Sequence, residues 1–311
     1  MDEEFTLVSA YFRINRENWK NFERNDEVYF SYFEHWARIK NQLIVFVENE
    51  QHKNQILKIR EKFGNINNTD VIIIDDVYAI DPELFEIISN ACLNPIHKAF
   101  RLTPNHPEVI YPVYDYIMAL KFWFLREAVI RNLNKSNQMA WIDFGFGHGD
   151  QFYPNAREFD FTWKSTFGNK LYFPSMTPDD NRPIFDVVRT MDVYAMGCLL
   201  VGSAEQWKKA WKWMRDAVCA LADCGFADDD QTALLMISRK HPEAVELTPS
   251  ESWTLFMKEH GADHLTVREE SWLKSKISDS KINYIRLQIR RLIKVIKYSF
   301  RQINVMMKGM N

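Results

Sequence analysis

The sequence predicts an α/β fold in which a mostly parallel central sheet is covered by helices. Short β-rich runs alternate with longer helical patterns over the first 250 residues, and the main strand-like runs are apolar. No internal repeat is visible, and no linker interrupts the pattern before about residue 275. Strands separated by helices need crossover connections, which are typical of parallel sheets.

The first half of the chain predicts four strands separated by helices. Strands are expected at 6–12, 42–49, 71–76 and 139–144. Helices are expected at 26–40, about 51–63, 81–92 and about 114–132. Asp81 is a suitable N-cap, and Pro82 follows at the first helical position.

The second half begins with a segment at 150–183 that is polar, aromatic and weakly periodic. Such a long irregular segment in a compact domain predicts a functional loop. A strand at 196–203 follows, then helices at 204–223 and 228–240 and a short extended segment at 243–247. Ser203 is the expected N-cap of the first of these helices. We therefore expect one catalytic domain over residues 1–275 and a helical tail over residues 276–311.

Composition narrows the functional classes. The 311 residues are 46% hydrophobic, which excludes intrinsic disorder. Four scattered cysteines without a Cys-x-x-Cys pair predict a reducing compartment, and no apolar run approaches the ~18 residues of a membrane span. The acidic start of the chain does not resemble a secretory signal. These features predict a cytoplasmic location.

Charge is distributed unevenly, because the stretch from Lys281 to Asn311 contains eight basic residues and no acidic one. Removing these eight from the net charge of −3 leaves −11 on residues 1–280. Apolar residues recur at helical spacing through positions 282, 285, 289, 292, 293, 296, 300 and 303. A basic band beside such a stripe predicts an in-plane helix on an anionic membrane surface. The alternatives are docking on the acidic domain or on a second subunit in a homodimer, whereas nucleic acid fits poorly because the acidic domain repels phosphate.

WIDFGFGHGD, residues 141–150, is the most unusual segment. Asp143 ends an apolar strand, where open α/β sheets bind ligands, and Gly145 allows close backbone approach to a phosphate or sugar.

One interpretation of this segment is the S-adenosylmethionine loop of methyltransferases, but this motif needs a helix directly after the glycines, and Pro154 follows. A kinase Asp-Phe-Gly lacks its partner motifs. The third is a sugar-nucleotide site, in which Asp143 begins an Asp-x-Asp-type motif but Gly145 replaces the second acid. Asp143 and His148 are then candidate ligands of a divalent cation. A plain glycine turn capped by Asp143 remains the structural alternative.

Acidic residues are concentrated again at Asp228, Asp229 and Asp230. Held together, they would raise each other's pKa, and Asp229 or Asp230 could act as a general base. One of them could equally cap the next helix. Lys121 interrupts the apolar run YIMALKFWFL and needs a partner if buried, so it could reach a diphosphate or extend to the surface.

Four further residues are candidates by position. Tyr11 and Arg16 follow the first strand, where a nucleotide base and its phosphates would lie. Asp75 ends the third strand and could bind a base or ribose. Trp163, in the long irregular segment, could stack on a sugar of the acceptor.

Five segments occur in an order and at spacings that resemble the HtrL/YibB-type proteins over roughly residues 5–260. They are LVSAYFRINRENW, YIMALKFWFL, WIDFGFGH, GCLLVGSAEQWKKAW and ADDDQTALL. Those proteins look like bacterial glycosyltransferases with the Rossmann-like GT-A fold, which are associated with lipopolysaccharide, O-antigen and other surface polysaccharides.

The resemblance implies a UDP-sugar donor, with Tyr11 and Arg16 near the nucleotide and Asp143 at the diphosphate, where Mn²⁺ or Mg²⁺ could bind. It also implies Gly202 under the acceptor and Asp229 or Asp230 as base. The expected function is transfer of a hexose, with inversion, to a hydroxyl of a lipid-linked or lipopolysaccharide glycan at the inner face of the cytoplasmic membrane. The alternatives are an S-adenosylmethionine-dependent methyltransferase and an inactive glycosyltransferase-like scaffold, because Gly145 replaces an acid.

Overall fold

A computed structural model describes residues 3–176, 178, 181–191, 194–268, 289, 292–293, 295–304 and 307. Its strands are β1 (Glu3–Glu4), β2 (Thr6–Tyr11), β3 (Leu43–Val47), β4 (Thr69–Ile73), β5 (Gln138–Ile142), β6 (Lys164–Ser165), β7 (Leu171–Ser175), β8 (Leu199–Ser203) and β9 (Val245–Pro249). Its helices are α1 (Asp26–Trp36), α2 (Glu50–Lys62), α3 (Pro82–Leu93), α4 (Pro95–Phe100), α5 (Pro107–Ile110), α6 (Pro112–Ile130), α7 (Ile184–Thr190), α8 (Ala204–Asp223), α9 (Asp230–Lys240) and α10 (Phe256–Glu259).

Seven strands form the central sheet, in the order β4-β3-β2-β5-β8-β7-β9. Strand β8 runs antiparallel to both of its neighbours, and every other pairing in the sheet is parallel. The predicted α/β class with a mostly parallel sheet is therefore confirmed. Strands β1 and β6 form a separate antiparallel pair.

The order of the strands creates a crevice between β2 and β5. From β2 the chain adds β3 and then β4 on one side, and α6 returns it to β5 on the other side of β2. Adjacent parallel strands whose connections leave in opposite directions open a gap at their carboxyl ends, and ligands of open α/β sheets bind there. The fold thus places the segments after Tyr11 and Ile142 at a common edge.

Both faces of the sheet are covered. All five residues of β3 have no exposed surface, as expected for a strand with helices on both sides. On one face, Phe122 of α6 packs edge-on against Trp207 of α8, and α3 completes this layer. On the other face, Phe33 and Trp36 of α1 pack beside the β5 end. The two layers fix the strand ends rigidly.

Local signals located most elements correctly. The Asp81 side chain accepts a hydrogen bond from the Leu84 N–H at 2.9 Å, and Ser203 caps α8 through Gln206. The prediction of a long loop over 150–183 is wrong in part, because β7 lies inside it and pairs with both β8 and β9. Pro174 within β7 obscured this strand, since proline usually argues against an interior strand.

The end of the chain is described only in part. Residues 295–304 are helical, whereas the predicted boundary between residues 275 and 276 lies outside the described residues. Within the described ranges, no helix is both long and apolar enough to cross a bilayer.

Candidate functional site at the carboxyl ends of β2 and β5

A cavity of about 620 Å³ opens at the crevice between β2 and β5. The predicted residues Tyr11, Arg16, Asp143, Gly145 and His148 all line it. Further walls come from the start of α1 and from the region where α5 meets α6. The volume lies within the ~300–1,000 Å³ range of small-molecule sites.

The glycine loop after β5 forms one wall of the cavity. Gly147 has a φ of 68°, and a Cβ there would lie 2.6 Å from the Tyr153 ring, so the position requires glycine on two grounds. His148 also has a positive φ, of 47°. The described stretch Phe146–Gln151 after β5 therefore consists of tight turns with positive φ at Gly147, His148 and Gly149, in place of the α-helix that a methyltransferase loop would need.

Asp143 lies directly after the carboxyl end of β5 and is held in a fixed orientation. Its Oδ1 accepts from Trp141 Nε1 at 2.6 Å and lies 3.0 Å from Lys121 Nζ. The side chain is still 32% exposed, so the carboxylate also faces the cavity. Such a carboxylate can accept hydrogen bonds from ligand hydroxyl groups without reorganising.

Lys121 joins the two acidic segments that the sequence singled out. Its Nζ lies 2.7 Å from Asp230 Oδ2 and donates to Gly197 O at 3.0 Å, in addition to contacting Asp143. Burial alone would lower the pKa of Lys121, but the two carboxylates outweigh it and raise the pKa. Lys121 is 2% exposed and outside the cavity lining, so it positions Asp143 rather than reaching a diphosphate.

Two arginines in the cavity wall have no acidic partner among the described residues. Arg16 donates to the Tyr29 hydroxyl and to Phe22 O, and Arg24 Nη1 lies 3.3 Å from His148 Nε2. Arg13, in contrast, pairs with Glu17 and with Asp26 at 3.0 and 3.2 Å. Across the described part of the chain, no carboxylate forms an ion pair with Arg16 or Arg24. Two guanidinium groups thus face the cavity uncompensated.

His148 is neutral near pH 7. Burial, and then the positive charge of Arg24, lower its pKa to about 4. Because Arg24 can only donate, His148 Nε2 acts as the acceptor in their contact. The ring also stacks on Tyr32, with 5.3 Å between the centroids.

The surroundings of Asp143 and His148 fit a divalent cation poorly. The nitrogen of His148 that could ligate is occupied by a guanidinium, and Gly145 offers no second carboxylate. Among the residues that the structure describes, no group of three or more His, Cys, Asp or Glu is placed to hold a metal ion. Hard divalent cations require several oxygen ligands.

The three consecutive acids have three different partners. Asp228 pairs with Arg101 Nη1 at 2.9 Å, Asp229 caps α9 through the Gln231 N–H at 3.0 Å, and Asp230 pairs with Lys121. Burial raises the pKa of both Asp229 and Asp230. Neither belongs to the cavity lining in the described residues, so the predicted bases lie behind its wall.

His106 belongs to the cavity wall and Glu108 lies next to it, and neither residue was predicted from the sequence. His106 lines the cavity, and its Nδ1 lies 3.1 Å from Glu108 Oε2. Burial, reinforced by Asp228, raises the pKa of Glu108 to about 8, and burial lowers the pKa of His106. Pro107 is a local signal for the start of α5, with His106 at the cap position and Glu108 in the first turn, but it does not indicate a cavity.

The cavity lies within the part of the chain that has recognisable relatives. The family model described as "Bacterial protein of unknown function (HtrL_YibB)" matches residues 3–258. The chain belongs to this family. Protein HtrL of Escherichia coli (strain K12) is 30% identical over 264 residues, which cover 79% of this chain and 88% of HtrL. The family description assigns no activity, so the function has to be argued from the chemistry of the cavity.

The structure of this HtrL_YibB family member places three predicted site residues away from the cavity. Trp163 has no exposed surface and packs on Phe5, with 4.3 Å between the ring centroids, which corrects its proposed stacking on a sugar. A Cβ at Gly202 would lie 2.5 Å from Leu171 Cδ2, so Gly202 packs inside the sheet. Asp75 is exposed beyond β4, two strands from β2.

Proposed function

We propose that this protein is a glycosyltransferase that binds a UDP-sugar in the cavity between β2 and β5. It transfers the hexose, with inversion, to a hydroxyl group of a lipid-linked or lipopolysaccharide glycan. The observation that carries the proposal is the pair of uncompensated guanidinium groups of Arg16 and Arg24 in the cavity wall. Guanidinium groups match phosphate oxygens in geometry and charge, and such hydrogen bonds are about twice as strong as neutral ones.

The remaining walls suit the nucleoside and the sugar. Tyr11 and Phe144 stack at 4.8 Å between ring centroids and give the cavity an aromatic surface for a base. Asp143, fixed by Trp141 and Lys121, presents a carboxylate to ribose or hexose hydroxyls. In this arrangement the arginines hold the diphosphate, and Asp143 orients the sugar.

Transfer requires a base for the acceptor. The acceptor oxygen forms a bond to the anomeric carbon, the bond from this carbon to the phosphate oxygen breaks, and UDP leaves with the electron pair. Arg16 and Arg24 stabilise the negative charge that develops on the departing diphosphate. Asp229 and Asp230 are the bases that the sequence predicts, but His106 lines the cavity, contacts Glu108 and lies near enough to Asp229 for the aspartate charge to act on its pKa. A neutral imidazole takes the hydroxyl proton in this proposal.

Donor binding in this cavity does not require a divalent cation in the proposed mechanism. Because two arginines face the position of the diphosphate and the ligand set around Asp143 is poor, donor binding is expected without Mn²⁺ or Mg²⁺. If donor binding required a divalent cation, Asp143 and His148 would again be candidate ligands of that cation.

A thermal-shift screen of the full chain tests the proposal. UDP should raise the melting temperature with or without manganese, whereas S-adenosylmethionine should not. Linkage predicts a stabilisation of about 2.7 kcal/mol at 100 times the dissociation constant. Stabilisation by S-adenosylmethionine alone would favour methyl transfer, and stabilisation by neither ligand would favour an inactive scaffold.

A further inference from the structure

The tail helix is attached to the rest of the protein through polar side chains. Arg301 Nη2 donates to Ala99 O at 2.6 Å and to Arg101 O, and Gln302 Nε2 donates to Ala99 O at 2.9 Å. Tyr298 lies edge-on to Phe100, with 6.4 Å between the ring centroids. The carbonyl groups at the end of α4, which lack helical partners, are thereby satisfied.

Among the described residues, this mode of attachment leaves the apolar stripe of the tail uncovered. Seven large apolar side chains along this side of the helix are each 46–64% exposed, namely Ile289, Leu292, Ile293, Ile296, Phe300, Ile303 and Met307. The tail therefore contacts the domain through its polar side, and its apolar side faces away from that contact. Exposed apolar clusters of this kind mark interaction sites.

The neighbouring helices lie on the other side of the tail from this stripe. Arg301 contacts the end of α4, and the Arg189 guanidinium of α7 lies over Tyr298. We call the seven exposed tail residues the apolar face.

The charge around the apolar face indicates what covers it. The chain has eight basic residues and no acidic one between Lys281 and Asn311, and Lys297 is exposed beside the face. In a symmetric dimer formed through this face, two such basic tails would lie against each other, which like-charge repulsion opposes. A lipid surface that carries negative charge would accept both the apolar and the basic side chains.

We propose that the apolar face docks on an anionic lipid bilayer and that the tail helix lies in the plane of its interface. Arg101, whose carbonyl holds the tail, extends its guanidinium to Asp228 and Ala227 O. Arg101 thus connects the attachment point of the tail to Asp228, one of the acids behind the cavity wall. The docking itself does not depend on glycosyl transfer.

Vesicle co-sedimentation of the full chain tests this proposal. The protein should sediment with vesicles of phosphatidylcholine and phosphatidylglycerol, and not with vesicles of phosphatidylcholine alone. Binding should weaken in about 1 M salt, where the Debye length falls to about 3 Å. No binding to the anionic vesicles would overturn the proposal.

Exposed positions allow substitutions that leave the fold intact. Phe300→Asp and Ile296→Asp should each weaken vesicle binding by roughly tenfold, because a large apolar contact is lost. Ile130→Asp is the matched control, since Ile130 is 47% exposed outside the apolar face and the charge change is the same. Equal binding of Phe300→Asp and Ile130→Asp would contradict the docking face. A dimer seen by light scattering that Phe300→Asp dissociates would assign the face to a second copy instead.

Discussion

Replacing Lys121 by methionine should lower the free energy of unfolding by about 3–5 kcal/mol, the usual cost of removing one partner from a buried ion pair. Lys121 and Asp230 are 2% and 3% exposed, and 2.7 Å separates their charged atoms. Methionine preserves most of the volume, so the loss comes from charge rather than from a cavity.

The size of this loss of stability depends on the charge of Asp230 once the lysine is removed. Without the lysine, its buried carboxylate has no cation beside it, and its pKa, already raised by burial, rises further. Asp143 suffers less, because it is 32% exposed and keeps the hydrogen bond from Trp141. The second substitution Asp230→Asn in the Lys121→Met protein should therefore recover part of the lost stability, since it removes the stranded charge.

Urea denaturation at two pH values measures both effects. A carboxyl group whose pKa is raised by folding keeps its stabilising proton at low pH and loses it as the pH rises through that value. Lys121→Met should accordingly be less destabilising near pH 5 than near pH 8. Lys170→Met is the control, because the exposed pair of Lys170 with Glu246, at 3.7 Å, should contribute less than about 1 kcal/mol. A Lys121→Met loss no larger than this control, or no recovery by Asp230→Asn, would refute the reasoning.

Three further predictions concern Glu108, Gly197 and Asp143. Glu108 loses its proton near pH 4.5 in the unfolded chain and near pH 8 in the folded protein, so the free energy of unfolding should fall between these pH values. Glu108→Gln should reduce this fall in urea denaturation at a series of pH values. An unchanged dependence of the unfolding free energy on pH would argue against a buried neutral acid. Gly197→Ala should lower the free energy of unfolding by about 1–3 kcal/mol, because the new Cβ would lie 2.0 Å from Asp230 Oδ2. Gly145→Ala is the control, since its Cβ would meet no atom nearer than 3.4 Å. Equal urea midpoints for the two variants would contradict this prediction. Asp143→Ala should weaken binding of a UDP-hexose in calorimetry by roughly tenfold, and unchanged affinity for the UDP-hexose would remove Asp143 from the donor site.

Much of the fold could be predicted because its signals are local. The apolar runs of β2, β3 and β5 and the Asp81–Pro82 helix start act within a few residues of the element that they define. The order of strands in the sheet depends on contacts between distant segments, so the sequence showed only that it is mostly parallel. Strand β7 was missed because Pro174 and its polar surroundings outweigh three apolar residues in local sequence.

In the candidate site, too, residues with a local sequence signal could be predicted, whereas residues brought in by distant segments could not. Asp143 and Arg16 were predicted because each follows a strand that ends at the ligand-binding edge. Arg24 and His106 lie in irregular segments without periodicity, and only the tertiary fold brings them to the cavity. The three consecutive acids looked like one catalytic cluster, whereas their side chains have partners on three different elements. Sequence alone does not reveal such a distribution.

Titration of UDP into the protein by isothermal calorimetry, without added metal, tests the central claim most directly. The account predicts that the wild-type protein binds UDP and that Arg24→Gln weakens binding by about tenfold or more, the loss expected for a charge-assisted contact. Arg157→Gln, which removes an exposed arginine outside the cavity, should bind UDP like the wild type. Absence of UDP binding, or equal affinities for Arg24→Gln and Arg157→Gln, would contradict the claim that the unpaired arginines hold a nucleoside diphosphate.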